Sequence, residues 1–193
     1  MQLAGLGVTK RIVQMDIENQ MQLVEEILGE YKVIIGGDFN AYRNHVYRVI
    51  NLCFSLCQPS ETEREKIQIA ACFHDIGIWT SGTFDYLPPS ESEASKYLSA
   101  KGMGAWNEEI TEMIEMHHRL KSCKDSSYPL VEAFRRADIA DFSLGMVPMG
   151  ISPNLIAQVK SEFPNAGFHM RLLQLGTKRL FMHPLNPLPM FRR

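Results

Sequence analysis

The chain has 193 residues, 45% of them hydrophobic, and a formal net charge of −2 at pH 7. A chain of that length buries roughly 70% of the surface its unfolded form exposes, enough for one core, and its near-neutral balance gives no electrostatic footprint for a nucleic-acid polymer or an anionic membrane. Nothing in it approaches the ~18 consecutive apolar residues of a membrane span, and Met1–Val8 lacks the charged lead-in and extended apolar region of a secretory signal, so a cytoplasmic protein is expected.

In that setting Cys53, Cys57, Cys72 and Cys123 are expected to stay thiols. Cys53 and Cys57 lie one helical turn apart on an apolar stripe, where packing explains them better than the start of a zinc site.

Thr9 to Tyr31 carries Ile12, Val13, Ile17, Met21, Val24, Ile27 and Leu28 in a helical rhythm, with room for a break near Asp16. Gly36-Gly37 ends whatever Val33-Ile34-Ile35 begins. Asp38 is then placed to N-cap a long helix to about Cys57, with Tyr42, His45, Val46, Val49, Cys53, Leu56 and Cys57 on its inward side. Pro59 interrupts, and Ser60-Glu61-Thr62-Glu63 is a capping box opening a helix that ends at His74. In it Ile67, Ala70 and Ala71, at spacings of three and four, put His74 on the buried stripe.

Ile76 to Pro89, with Trp79, Phe84 and Tyr86, reads as an ordered loop that covers a site. Ser90 to Glu93 forms a second capping box for a helix stopping at Gly102, and Asn107 caps the next. There Ile110, Met113, Ile114 and Leu120 define the buried face, with His117 in register and His118 turned about 100° away, toward solvent. Lys121 to Tyr128 is a polar connection. The helix after Pro129 presents Val131, Phe134 and Phe142 with Asp138 among them. Ser152-Pro153 opens a short helix ending near Phe163-Pro164, Ala166 to Phe181 forms the last, and Pro184 to Arg193 reads as an extended tail. No alternating run supports a sheet. The expected architecture is all-α: one helical domain over 1–193, with a motif-bearing core at about 38–143 and C-terminal helices and tail at about 152–193.

Four helices thus each carry an ionisable side chain inward: His45, the His74-Asp75 pair, His117 and Asp138. Burying such groups is costly unless hydrogen bonds, opposite charge or a metal compensates. Imidazoles together with carboxylates suit a borderline divalent ion and leave positions for water and substrate.

A histidine in Asn44-His45-Val46-Tyr47-Arg48, a later pair in Ala71-Cys72-Phe73-His74-Asp75-Ile76-Gly77 and a distant aspartate in Ala137-Asp138-Ile139-Ala140-Asp141 together resemble the HD-domain metal-dependent phosphohydrolases, over about His45 to Asp141. The resemblance implies one divalent ion, whether Mn, Fe, Co, Ni, Zn or Mg, held by His45, His74, Asp75 and Asp138. Asp141 is either an alternative ligand or an acceptor orienting a histidine. His117 stands where many relatives carry a histidine that contacts substrate or a second metal; a neutral core histidine bonded to backbone is the other reading. No histidine lies between Asp75 and His117, which favours one metal. Ile78 replaces an acid found in some nucleotidase branches, and no lysine follows Gly77 as in the cyclic-dinucleotide branch, so neither activity is carried over.

The resemblance points to hydrolysis of a small phosphate ester, a nucleotide or related metabolite. Asp75 would ligate and accept a proton, and His117 would bind the leaving group or protonate it. Arg48, His117, His118 and Lys121 are the candidates for contacting substrate, with Arg119, Lys124 and Arg135 flanking the motifs; taken singly, each of the Arg and Lys charges reads first as part of a solvated helix face. Trp79, Phe84 and Tyr86 either stack on a base or anchor their loop. Competing functions are an iron oxygenase or hydratase on the same scaffold and a non-catalytic nucleotide-binding regulatory module. The expected partner is a small phosphorylated molecule, with no nucleic acid or membrane and with room for a homodimer.

Overall fold

The computed structural model describes residues 16–82 and 85–182, with the backbone alone at 175, 178, 179, 181 and 182. Nine α-helices and no strand occur among the described residues: α1 (Gln22–Ile35), α2 (Phe39–Cys57), α3 (Glu61–Phe73), α4 (Gly77–Thr80), α5 (Leu87–Ala100), α6 (Asn107–Met116), α7 (Pro129–Phe142), α8 (Pro153–Glu162) and α9 (Phe168–Met182). The fold is therefore all-helical, as expected. Among the described residues no helix is long and apolar enough to cross a membrane. The expectations for residues 1–15, for Phe84 and for the segment from His183 to Arg193 lie outside the described residues.

Helix α2 is the centre of the bundle. Every residue from His45 to Phe54 is buried, so this helix has no solvent face over that stretch. It packs along α7, with α3, α8, α1 and α9 also against it, while α6 lies against α5, α7 and α3. One contiguous core runs from Met21 to Phe168. A helix surrounded in this way brings its polar atoms inside as well, and they must be satisfied there. Tyr42 donates its hydroxyl to the Cys72 carbonyl at 2.9 Å and Tyr47 to Glu25 Oε1 at 2.5 Å, so both large rings are buried without orphaning their oxygens.

Several boundaries differ from the sequence reading, each for a local reason. Helix α1 begins at Gln22, beyond the break allowed for near Asp16, because the segment before it is tied to α2: Glu18 donates its N–H to Asn51 Oδ1 at 2.8 Å and takes back an amide hydrogen at 3.1 Å. At its other end Val33-Ile34-Ile35 continue the helix until Gly36, whose φ of +63° is the left-handed stop. Asp38 does not cap α2; it sits in a 3₁₀ turn, Gly36–Asp38, and its carboxylate accepts the Trp79 indole N–H at 3.0 Å. The Ser60–Glu63 capping box is present with both bonds.

Ile76 to Pro89 is not simply a loop. It contains α4, and α5 starts at Leu87 with prolines in its first turn, where a missing N–H leaves nothing unsatisfied. Ser90 is consequently inside α5, buried, its hydroxyl accepting the Gly77 N–H at 3.0 Å, and it caps nothing. Asn107 likewise makes no side-chain cap, since a 3₁₀ turn, Gly104–Trp106, leads into α6. Because α6 ends at Met116, Leu120 falls off the buried face and is 77% exposed; Phe142, the last residue of α7, is 44% exposed.

Candidate metal centre

Four helices converge on one buried point. Helix α2 delivers His45 from its inner face. At the end of α3, His74 donates its N–H to the Ala70 carbonyl, and Asp75 follows in the tight turn into α4. That turn requires Gly77: a Cβ there would stand 2.2 Å from the Tyr86 carbonyl oxygen. His117 and His118 leave the end of α6, and α7 supplies Asp138 with Asp141 one turn later. All seven side chains are buried.

The three imidazoles of His45, His74 and His117 share one arrangement. Each engages its Nδ1 with an acceptor other than Asp75 or Asp138: Asp141 Oδ2 at 2.7 Å, the Ala71 carbonyl at 2.8 Å and the Ile114 carbonyl at 2.6 Å. Carbonyls and carboxylates accept, so each Nδ1 carries the hydrogen and, in the neutral ring, each Nε2 turns a lone pair inward. His45 and His74 bring those nitrogens to 2.9 Å. Asp75 Oδ2 lies 3.6 and 3.5 Å from them and Asp138 Oδ1 3.6 and 3.7 Å, while His117 Nε2 is 3.5 Å from Asp75 Oδ1. Ligands roughly 2.1 Å from a shared centre are about 3.0–3.4 Å apart, close to these spacings.

Burial dominates the electrostatics. It pushes the His74 imidazole down to about 3, so that ring is neutral at ordinary pH, and it drives His118 well below its usual range, aided by neighbouring His117. It also raises the Asp138 carboxyl to about 6, overcoming the attraction of His117 and His45, with smaller help from the repulsion of Asp75 and Asp141. Asp75 goes the other way: burial opposes its charge, but the imidazoles of His74, His117 and His45 hold it well below the carboxylate range. His117 is raised because facing Asp75 and Asp138 outweigh its desolvation.

Asp75 Oδ1, His117 Nε2 and Asp138 Oδ2 have no hydrogen-bond partner although buried. Leaving such groups unsatisfied costs about 1–3 kcal/mol each. A divalent ion removes the difficulty, and the donors fall into three overlapping sets able to hold one: His45, His74 and Asp138; His74, Asp75 and His117; His117, His118 and Asp138. The HD-domain family profile matches residues 42–143, more than half of the chain. The chain belongs to the HD-domain family. Curated proteins and solved structures gave no match to it.

In this HD domain the four residues expected as ligands, His45, His74, Asp75 and Asp138, come together with His117. His118 corrects the reading that turned it to solvent: it is buried, its ring centroid is 3.9 Å from that of His117, and its Nδ1 lies 4.0 Å from Asp138 Oδ2. The hydroxyl of Tyr86 makes a short hydrogen bond to its Nε2, so Tyr86 lies at the cluster as well as anchoring its own segment. Arg48 does not line a cationic rim. It is 2% exposed and doubly bonded to Asp141, and Arg135 is similarly turned to Glu132. Lys121 is exposed. One contributor had no signal in the sequence: Phe168, the first residue of α9, stacks its ring on His45 at 4.1 Å and 17°.

Proposed function

We propose that this HD domain is a metal-dependent hydrolase of a small phosphate ester, a nucleotide or related metabolite. One observation carries the reading: three inward imidazole Nε2 atoms meet two carboxylates in a site where several of these atoms lack any other partner. His45, His74, Asp75 and Asp138 would hold a divalent ion, which when bound supplies Lewis acidity toward a phosphoryl oxygen and acidifies water.

The chain's own residues would manage the protons. Asp75, kept ionised by its imidazole neighbours, accepts the proton of the attacking water as its oxygen bonds to phosphorus. As the P–O ester bond breaks, His117, whose raised pKa favours the imidazolium, returns a proton from Nε2 to the leaving oxygen. Enclosure would limit the substrate: Phe168 lies over His45 and the ligand set is buried, which favours entry by a small phosphoryl end. Lys121, at the surface, remains a candidate for the rest of the molecule.

Metal analysis of protein purified without chelators, followed by phosphate-release assays with Mn, Co, Ni, Mg and Zn added separately, tests the proposal. Metal retention and phosphate release with at least one ion are expected; protein that neither contains nor takes up a divalent ion would end it.

A second reading has specific support. The His117, His118 and Asp138 set shares Asp138 with the first, an arrangement suited to two ions and hence to the iron oxygenase chemistry of some relatives on this scaffold. Two irons per chain and oxygen consumption would favour it over hydrolysis.

A further inference from the structure

We propose that Arg48 and Asp141 are positioning residues that dictate which nitrogen of His45 carries the proton. The inference rests on reading His45 as a metal ligand. Asp141 Oδ2 accepts the Nδ1–H of His45 at 2.7 Å and an Nη2–H of Arg48 at 2.9 Å, while its Oδ1 accepts the Arg48 Nε–H at 2.6 Å. All three side chains are essentially inaccessible to water. Both carboxylate oxygens are thus already facing guanidinium donors, and Asp141 can meet His45 only as an acceptor. The proton is confined to Nδ1 and the Nε2 lone pair to the metal side.

The geometry of Arg48 makes the constraint rigid. It lies one turn beyond His45 on α2, and its two-point contact with Asp141 on α7 cross-links the central helix pair with fixed orientation. Its remaining nitrogen, Nη1, donates to the Phe163 carbonyl at 3.0 Å, where the chain leaves α8 on its way to α9. Helix α9 then opens with Phe168, stacked on the His45 ring. One guanidinium therefore anchors both the acceptor at the edge of His45 and the chain leading to the ring on its face. A buried ion pair adds little net stability compared with apolar side chains of the same volume. Orientation is what this one supplies.

Asp141→Asn separates positioning from folding. With its oxygen kept on the shortest guanidinium contact, the Arg48 Nε–H at 2.6 Å, the amide turns its NH2 group to His45 Nδ1, donates to it and moves the imidazole proton to Nε2. In zinc-free protein, NMR of the imidazole nitrogens should show the His45 Nδ1–H signal diminished, and competition with a chromophoric chelator should show zinc affinity reduced about 10–100-fold. In Arg48→Met/Asp141→Asn the amide turns its oxygen to His45 without opposition, and the Nδ1–H signal returns. A purely structural role would lower thermal stability and leave the tautomer alone. Asp141→Asn with unchanged Nδ1–H signal and zinc affinity overturns the inference, as does a folded double variant lacking the signal. If Asp141→Asn fails to fold, the double variant is compared with Arg48→Met/Asp141→Leu, which has no acceptor and should lose the signal; equal signals overturn the inference. Unmodified protein that takes up no zinc would defeat the metal reading while leaving the tautomer comparison intact.

Discussion

The Nε2 atoms of His45 and His74 face each other at 2.9 Å, and both rings have their Nδ1 committed elsewhere, to Asp141 and to the Ala71 carbonyl. Two neutral imidazoles so arranged present lone pair to lone pair. A shared proton or a cation must lie between them, and Asp75 and Asp138, each within 3.7 Å of both nitrogens, supply the anionic donors that favour the cation.

His74→Ala and Asp138→Ala should each abolish retention of a divalent ion while leaving helical content largely intact, because each deletes a ligand at one position while the contiguous apolar core between the helices remains. Metal analysis beside far-UV circular dichroism checks this. Full metal content or full activity in either variant would be incompatible with the site.

Chelator-treated protein should lose stability as pH falls from about 6.5 to 4. Over that interval the unfolded chain protonates His74 and His118, which burial keeps neutral in the folded state, so both contributions are lost on acidification. Asp138 acts oppositely: its folded carboxyl, raised to about 6, takes a proton the unfolded group does not. Asp75 and Asp141, held low, yield only below this range, and the raised His117 matters above it. Two imidazoles against one carboxyl leave the unfolded state binding more protons, a slope of up to about 1.4 kcal/mol per pH unit for one net proton. A urea midpoint at pH 4.5 equal to or above that at pH 7 would contradict the assignment.

Gly77→Ala should destabilise the fold by roughly 1–3 kcal/mol. The added Cβ meets backbone, the Tyr86 carbonyl at 2.2 Å, as well as Ser90 Oγ at 3.0 Å, so no rotamer change relieves it. Urea unfolding measures the loss. Since Gly77 follows Asp75 by two residues, metal affinity should fall too; wild-type values for both quantities would show that the turn has slack.

Ser60→Ala serves as the contrast. It removes the accepted bond of the capping box, 14 residues before His74 along α3, and should cost about 1 kcal/mol of stability with metal affinity unchanged. A matching loss of metal would mean that the site responds to stability in general.

The helices that matter most were legible because helical periodicity is a local property. Apolar residues at spacings of three and four marked the inner faces of α2, α3 and α7, and with them the inward direction of His45, His74 and Asp138. Turn chemistry was legible only in part: Ser60 caps, whereas Asp38, Ser90 and Asn107 have capping side chains and do not, since a cap also needs a neighbouring backbone in the right place. His118 was misjudged for the same reason. The rotation of about 100° per residue holds only while a helix continues, and α6 stops at Met116, so the chain turns and both histidines face in.

By itself, then, the order of residues determined which side chains are carried toward the interior, because that depends on neighbours a few positions away. Which of them meet was decided by packing. Asp141 joins His45 across 96 positions and His74 joins His45 across 29, and Arg48, legible only as a charge near a motif, becomes the clamp on Asp141 once α2 lies along α7. Such contacts arise from the mutual burial of whole helix faces, a condition no local stretch of chain encodes.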